Sequence, residues 1–419
     1  MNSSPRPPGS IHILLCEGSS LSAREALSAL GPRGYVIEVC DPDPFCLGRF
    51  SRFVRNVYRS PSAGTDPQGY LHFLLNHLKR VPYDVLLAVQ EQAFLFSRAR
   101  KQLQPLVGLA IADFPVFARL QSKVGFLEVL DTLGLSHPRT TLVRTRDELE
   151  ACTAFPYYVK AEYGTASSGV WKVQTGDERA QLIEHLQEMG QLGGERRLLV
   201  QEVVPGPLCM VQAIFDHGRL IAFHCWQRLR EGARGSSSAK LSIQQPGVEQ
   251  HLRQLGEYLG WHGCLAIDYL LDPEHATPLY IDANPRLVEC MNATLSGLNL
   301  AEVLVRLSLG EQLPEVISYR SDVRSHMLLM ALLGVAEKGG TRQDLLREIW
   351  QAIFRRGTYR DSQEELTPYQ MDILSLVPVG ILTTQLLISP AQGLATASKA
   401  VTRYSLSSRA IQIIQQEME

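Results

Sequence analysis

One apolar run of this chain ends in an acid, an amide and a cation: Tyr280-Ile281-Asp282-Ala283-Asn284-Pro285-Arg286. On an extended strand, alternate residues project from the same face, so Asp282 and Asn284 present oxygen ligands side by side. Mg²⁺ takes such ligands, typically one or two carboxylates completed by substrate phosphate oxygens. Asp268 lies in the preceding apolar run, 264–271, and residues 272–278 read as a hairpin-like connection to 279–283. The hairpin sets Asp268 beside Asp282, and Asp268, Asp282 and Asn284 together read as ligands for a metal pair bridging two phosphates. Arg286, where the chain leaves the strand, suits a transferring phosphoryl group or a carboxylate. Taken alone, the four residues are equally well read as an Asx-type turn.

A second group lies upstream. Lys160 closes the apolar run 157–161, and Gly164-Thr165-Ala166-Ser167-Ser168-Gly169 separates it from the next run, 170–173. A glycine- and serine-rich hairpin offers backbone N–H groups to phosphates, and a strand lysine adds a point charge. Lys123 sits in a helical stretch, 122–133, that Gly134 ends. A third group, residues 198–206 (LLVQEVVPG), is a strand that stops at Pro-Gly. Such an edge has free backbone groups able to read adenine, and a plain strand terminus is the alternative.

These groups need a frame. The runs 11–16, 35–40 and 84–89, with a helical pattern over 21–30, predict the start of a parallel α/β sheet. Parallel sheets bind ligands beyond the carboxyl ends of their strands, which points Glu17 to Ser20, Asp41 and Glu91 at a crevice. From about 141 to 211 short strands alternate with one amphipathic helix, 178–189, an α+β pattern. After Pro314 the chain reads as mostly helical, with runs at 325–333 and 342–354. The 419 residues suffice for two or three cores. A formal net charge of −2 argues against nucleic-acid binding. The eight cysteines form no C-x-x-C pair and fit a reduced, cytoplasmic setting. Residues 1–10 read as a disordered Pro-rich tail, with no secretory signal. The nearly uncharged segment 373–388 is too short for a spanning helix and is interrupted by Pro378 and Gly380. A buried core helix is the expectation there, with membrane association the lesser alternative.

In this order, the helix lysine, the strand lysine with its glycine loop, the Q-E hinge with Pro-Gly and the paired acidic strands ending in D-x-N-P-R resemble the ATP-grasp superfamily. The likeness covers about residues 11–313 and is closest in style to the carboxylate–amine ligases and the carbamoyl-phosphate-synthase-like branch. It implies a Rossmann-like domain over 11–110, an ATP-grasp domain over 111–320 and a mostly helical region over 321–419. By the same resemblance, Lys123 and Lys160 contact ATP phosphates beneath the loop that includes Gly164, Ser167, Ser168 and Gly169. Glu202 and Val204 bind adenine through the backbone. Asp268, Asp282 and Asn284 hold Mg²⁺, two ions with Mn²⁺ as a substitute, and Arg286 with Lys160 serves the reacting phosphoryl.

Two departures stand out. The family more often has Glu where Asp282 stands, and the acid usual after the hinge for ribose is replaced by Pro207, Leu208 and Cys209, so either another group such as Gln212 reaches the ribose or nucleotide affinity is weaker than usual. The implied reaction activates a small carboxylate, an amino acid for example, as an acyl phosphate and joins it to an amine. Activation of bicarbonate or an enol, and a non-catalytic nucleotide-binding scaffold, are the alternatives. The polar stretch 228–240 reads as a lid whose Arg228, Arg230 and Arg234 bind an acidic substrate, or as a solvated loop. His224 and Glu231 are nearby candidates for a base, and a homodimer is expected from the family.

Overall fold

The computed structural model describes residues 10–164, 169–194, 196–274, 276–315 and 318–416. The tail expected over 1–10 therefore lies outside the described residues except for Ser10, and so do Ser167 and Ser168 of the glycine loop.

Strands β1 (His12–Cys16), β2 (Val36–Asp41), β3 (Val54–Arg59) and β4 (Val85–Leu87) form a parallel sheet in the order β3-β2-β1-β4. The continuous apolar run of β1 is what a strand covered on both faces requires. Ile13 and Leu15 pack on one side with Leu27 and Leu30, and Leu14 and Cys16 on the other with Tyr70 and Phe94. Ser20 starts the helix Leu21–Leu30 by accepting a hydrogen bond from Ala23 N at 3.0 Å. Glu17, between strand and helix, has a φ of 58°.

A second, antiparallel sheet contains β5 (Thr140–Val143), β6 (Tyr157–Ala161), β7 (Val170–Val173) and β8 (Leu198–Glu202) in the order β5-β8-β6-β7. Its core of Tyr157, Val159, Leu198 and Val200 is covered by Leu182, Ile183 and Leu186 of the helix Gly176–Glu188. Beyond β8 the chain passes through residues 203–207 into a different sheet. This one joins β9 (Leu208–Asp216), β10 (Arg219–Glu231), β11 (Ser237–Ile243), β12 (Gly263–Leu271), β13 (Pro278–Asn284), β14 (Arg324–His326) and β15 (Ser362–Glu364). Its order is β13-β12-β9-β10-β11-β14-β15, antiparallel except for the β14–β15 pair.

Three expectations change. The stretch 228–240 is not a polar lid loop: it is the end of β10, a tight turn at Ala233–Gly235 and most of β11, a hairpin inside the large sheet. The region after 320 is mostly helical as expected, and the change there is only that the short strands β14 and β15 extend that sheet. The segment 373–388 is helical, over Leu376–Ile388, but it is not buried. Leu386 is its one fully covered residue, while Ile381 is 53% and Ile388 64% exposed. Hydrophobicity alone overestimates burial where a helix has a neighbour on one side only. Among the described residues no helix is long and apolar enough to cross a membrane.

Candidate active site

The hairpin β12–β13 sets Asp268 directly opposite Asp282, and Ala266 opposite Asn284. Two-residue periodicity then puts Asp268, Asp282 and Asn284 on one face of the large sheet. Asn284 Nδ2 donates to Asp268 Oδ2 at 3.3 Å, and Arg286 Nη2 donates to Asn284 Oδ1 at 3.1 Å. Burial, then the neighbouring charges of Asp282 and Glu289, push the Asp268 carboxyl up to about 8. A hard cation at this place would relieve that crowding of carboxylates, so the donor set fits Mg²⁺.

Lysines converge on the acids from two other elements. Ser122 caps the helix Lys123–Leu133 by accepting from Gly125 N at 3.1 Å. A Cβ on Gly125 would lie 2.3 Å from the Arg119 carbonyl oxygen, so glycine permits the close approach that places the first turn. From that turn Lys123 Nζ reaches both carboxylate oxygens of Asp282, at 2.6 and 2.7 Å. Lys160, at the end of β6, donates to the Ile281 carbonyl at 3.3 Å. Burial lowers its pKa to about 8 against the opposing pull of Asp282. The chain leaves β6 through Tyr163 and Gly164 and re-enters β7 after Gly169, whose φ of 76° suits glycine. The hinge residues Glu202 and Val204 lie at the passage between the two antiparallel sheets. The Glu202 backbone N–H is given to the Arg139 carbonyl at 3.0 Å, and its carboxylate accepts from Arg139 N at 2.7 Å.

The sheet's same face carries residues the sequence did not single out. Lys240 Nζ lies 2.7 Å from Glu365 and 2.8 Å from Glu289, and 5.1 Å from the centre of the Trp226 ring. Burial opposes its charge, but Glu289 and Glu365 outweigh it and hold the pKa above the ordinary lysine value. Glu289 has a φ of 44° and contributes to the raised Asp268 carboxyl. Its sequence signal was proximity to Arg286; Lys240 and Glu365 had none, because they meet only in the fold.

Other candidates are placed differently. Gln212 is fully buried and donates Nε2 to the Val288 carbonyl, which removes it as the ribose ligand. His224 is fully buried, neither ring nitrogen has a hydrogen-bond partner among the described residues, and burial, then Lys240, lowers its pKa to about 3. Arg230 is engaged by Glu348, with Nη2 to Oε2 at 2.9 Å, so its guanidinium is held in a structural pair rather than offered to a substrate. Arg228 donates to the Gly235 carbonyl at 2.7 Å. Arg234 donates through its backbone to Glu337 and through its side chain to Ser398, both at 2.7 Å. At the parallel sheet, Glu91 follows β4, is fully buried, and accepts from Leu406 N at 2.7 Å. Burial raises its pKa, and Arg286 pulls it back.

With this geometry in view, comparison with known proteins is informative. No family model matches the sequence. The biotin carboxylase domain of 2-oxoglutarate carboxylase from Hydrogenobacter thermophilus, solved with MgADP, ADP and bicarbonate, superposes with a TM-score of 0.59. The match covers 74% of this chain and 73% of that one, at 14% identity. The chain has the ATP-grasp fold. Among relatives in sequence, acetyl-CoA carboxylase 2 of Oryza sativa subsp. japonica is 24% identical over 204 residues, 45% of this chain but only 9% of that protein. D-aspartate ligase of Enterococcus faecium is 24% identical over 294 residues, 64% of this chain and 69% of that one.

Proposed function

We propose that this ATP-grasp chain is a ligase that activates a small carboxylate with ATP and joins it to an amine. The observation that carries the reading is the meeting of Lys123 and Lys160 with Asp282, Asp268, Asn284 and Arg286 from one helix and three strands. The similarity to D-aspartate ligase supports the amine acceptor.

In this reading, Asp268, Asp282 and Asn284 hold two Mg²⁺ ions, with Mn²⁺ able to replace them. A cation held by these residues would supply positive charge to offset the phosphates. Lys123 exchanges its present partner Asp282 for phosphate oxygens, and Lys160 adds a second positive charge on a buried strand end. The loop from Gly164 to Gly169, with Ser167 and Ser168, covers the phosphates and excludes water. Glu202 offers its carbonyl and Val204 its N–H to adenine at the passage between sheets. Arg286 steadies the carboxylate and then the acyl phosphate.

Phosphoryl transfer forms a bond from a carboxylate oxygen to phosphorus and breaks the bond to ADP. The amine nitrogen then bonds the acyl carbon, the carbon–oxygen bond to phosphate breaks with its electron pair on phosphate, and the nitrogen loses a proton. Positioning and charge neutralisation provide most of the catalysis in such transfers. The crevice beyond the carboxyl ends of β1 and β4 completes the substrate site, consistent with a Rossmann-like unit over 11–110, an ATP-grasp unit over 111–320 and a C-terminal region over 321–419. We read the protein as cytoplasmic, with its eight thiols unpaired, and as a homodimer like relatives in the family. Arg228 and Arg234 remain proposed substrate contacts.

The test is ADP and phosphate release from MgATP across pairs of small carboxylates and amines, with bicarbonate as a further arm. Turnover that requires one carboxylate and one amine is expected. Turnover that needs bicarbonate alone would replace the ligase by a carboxylating activity, favoured by the similarity to acetyl-CoA carboxylase 2.

A further inference from the structure

Beyond β1 the chain buries a carboxylate that has nothing to bind. Glu17 is 1% exposed, and both of its carboxylate oxygens lack a hydrogen-bond partner among the described residues. A buried carboxyl without a partner is costly whether it stays charged or is held neutral, so such a group persists where it is used. Its backbone adds a second cost, since a φ of 58° is unfavourable for any residue but glycine. A structural role would have given the side chain a partner; Asp41 close by has several, accepting from Ser19 N at 2.7 Å, Ser19 Oγ at 2.9 Å and Asp43 N at 2.7 Å.

The surroundings specify what is missing. Glu17 and Glu91 follow adjacent parallel strands, with Leu15 paired to Leu87, so both acids stand at the same edge of the sheet. Burial, then Asp41, push the Glu17 carboxyl well above the usual carboxylate range. The Tyr404 hydroxyl lies within electrostatic reach of Glu17, Glu91, Arg286 and Arg234. Both acids and the guanidinium that belongs to the phosphoryl site thus bear on Tyr404, in the same region beyond the sheet. The region is covered by the end of the helix Pro390–Tyr404 and the residues after it, where Leu406 N donates to Glu91 and Ser407 N donates to the Gly64 carbonyl at 3.1 Å.

We propose that Glu17, seconded by Glu91, is the subsite that receives the nitrogen of a primary-amine substrate, with residues 404–406 as its cover. The inference rests on the ligase reading for the identity of the bound group as acceptor. A primary amine brings two or three N–H donors and, as ammonium, a positive charge, which together satisfy the two orphaned oxygens. Arg286 acts electrostatically on Glu91, the second acid of the subsite, and so connects it to the phosphoryl site. Binding of the amine releases the Leu406 amide from Glu91, which links occupancy of the subsite to movement of the C-terminal segment.

The experiment is a thermal-shift and calorimetric titration of the full-length protein in MgADP with a panel of primary amines: the common amino acids, β-alanine, ethanolamine and 1,3-diaminopropane. At least one amine is expected to stabilise the wild-type chain. In Glu17→Gln its affinity falls roughly tenfold or more, the loss expected when a charged hydrogen bond becomes a neutral one. MgADP binding stays unchanged, and the melting temperature without amine is equal to or above wild type, because a buried carboxyl without a partner has been replaced by a neutral amide of the same shape. Glu91→Gln, which keeps an acceptor for Leu406, shows the same loss in smaller measure. Failure of every amine to bind, an amine affinity unaltered by Glu17→Gln, or collapse of that variant would each overturn the subsite. An amine bound through Glu17 without any ADP release contradicts the ligase reading alone. Amine-dependent turnover indifferent to Glu17 contradicts the subsite alone.

Discussion

The cleft and the C-terminal helices depart from ordinary protein surfaces in opposite directions. Around Asp268, Lys160, Glu17 and Glu91, charge is taken out of water. Over the helix Leu376–Ile388 and the nearby helix Arg342–Ile353, apolar side chains stand in it, with Ile353 at 68% and Trp350 at 45% exposed. What each region specifies differs. Buried charges have few and directional solutions, so the types and positions in the cleft narrow the chemistry to phosphate, divalent cation, carboxylate and amine. An exposed apolar helix is non-directional and says only that it is not fully packed.

The largest test of this contrast is Asp282→Asn. Losing one carboxylate from the phosphoryl site is expected to reduce kcat on the order of 10²–10³-fold, while circular dichroism and the unfolding midpoint change little. Comparable loss of stability would mean that Asp282 serves mainly as the partner of Lys123. Next in size is Arg24→Ala. Arg24 Nη2 and Asp372 Oδ2 form a buried pair at 2.7 Å that ties the first helix to the segment before Leu376–Ile388. Breaking it leaves Asp372 buried without its cation, held only by hydrogen bonds from Ser51 Oγ and Arg52 N, for about 3–5 kcal/mol in urea unfolding.

Within the C-terminal helix itself, Leu386→Ala should cost about 2–5 kcal/mol because Leu386 is fully covered. Ile381→Ala, half exposed, should stay within about 0.5 kcal/mol. Equal costs would show that a partner covers this helix in solution.

The smallest effect expected is on pH dependence. His224 and His262 have pKa values lowered by burial, to about 3 and about 4. Both are neutral when folded and take up a proton when unfolded below about 6.5, the ordinary histidine value. Their contribution is therefore complete above 6.5 and is lost as the pH falls from there toward 4. Urea midpoints measured at pH 7 and pH 5 should draw closer together in His224→Gln; an unchanged gap would remove His224 from the account.

The sequence made local features readable and long-range ones invisible. The pairing of Asp268 with Asp282 follows from alternation along two adjacent strands, and Lys123 and Lys160 were marked by a helix start and a strand end. By contrast, Lys240 meets Glu365 across 125 positions, and Leu406 meets Glu91 across 315. Neither has a local pattern. The polar strand Val54–Arg59 was missed because it is an edge strand with little burial, and β14 and β15 because they are three residues long. The segment 373–388 misled in the other direction, since an apolar composition was taken for a buried position.

The central claim is that the cleft makes an acyl phosphate, and hydroxylamine tests it most directly. In the presence of MgATP and the right carboxylate, the wild-type chain should yield an acyl hydroxamate with one ADP for each molecule trapped, and Asp282→Asn should yield none. AMP and pyrophosphate in place of ADP and phosphate, or hydroxamate made equally well by Asp282→Asn, would contradict it.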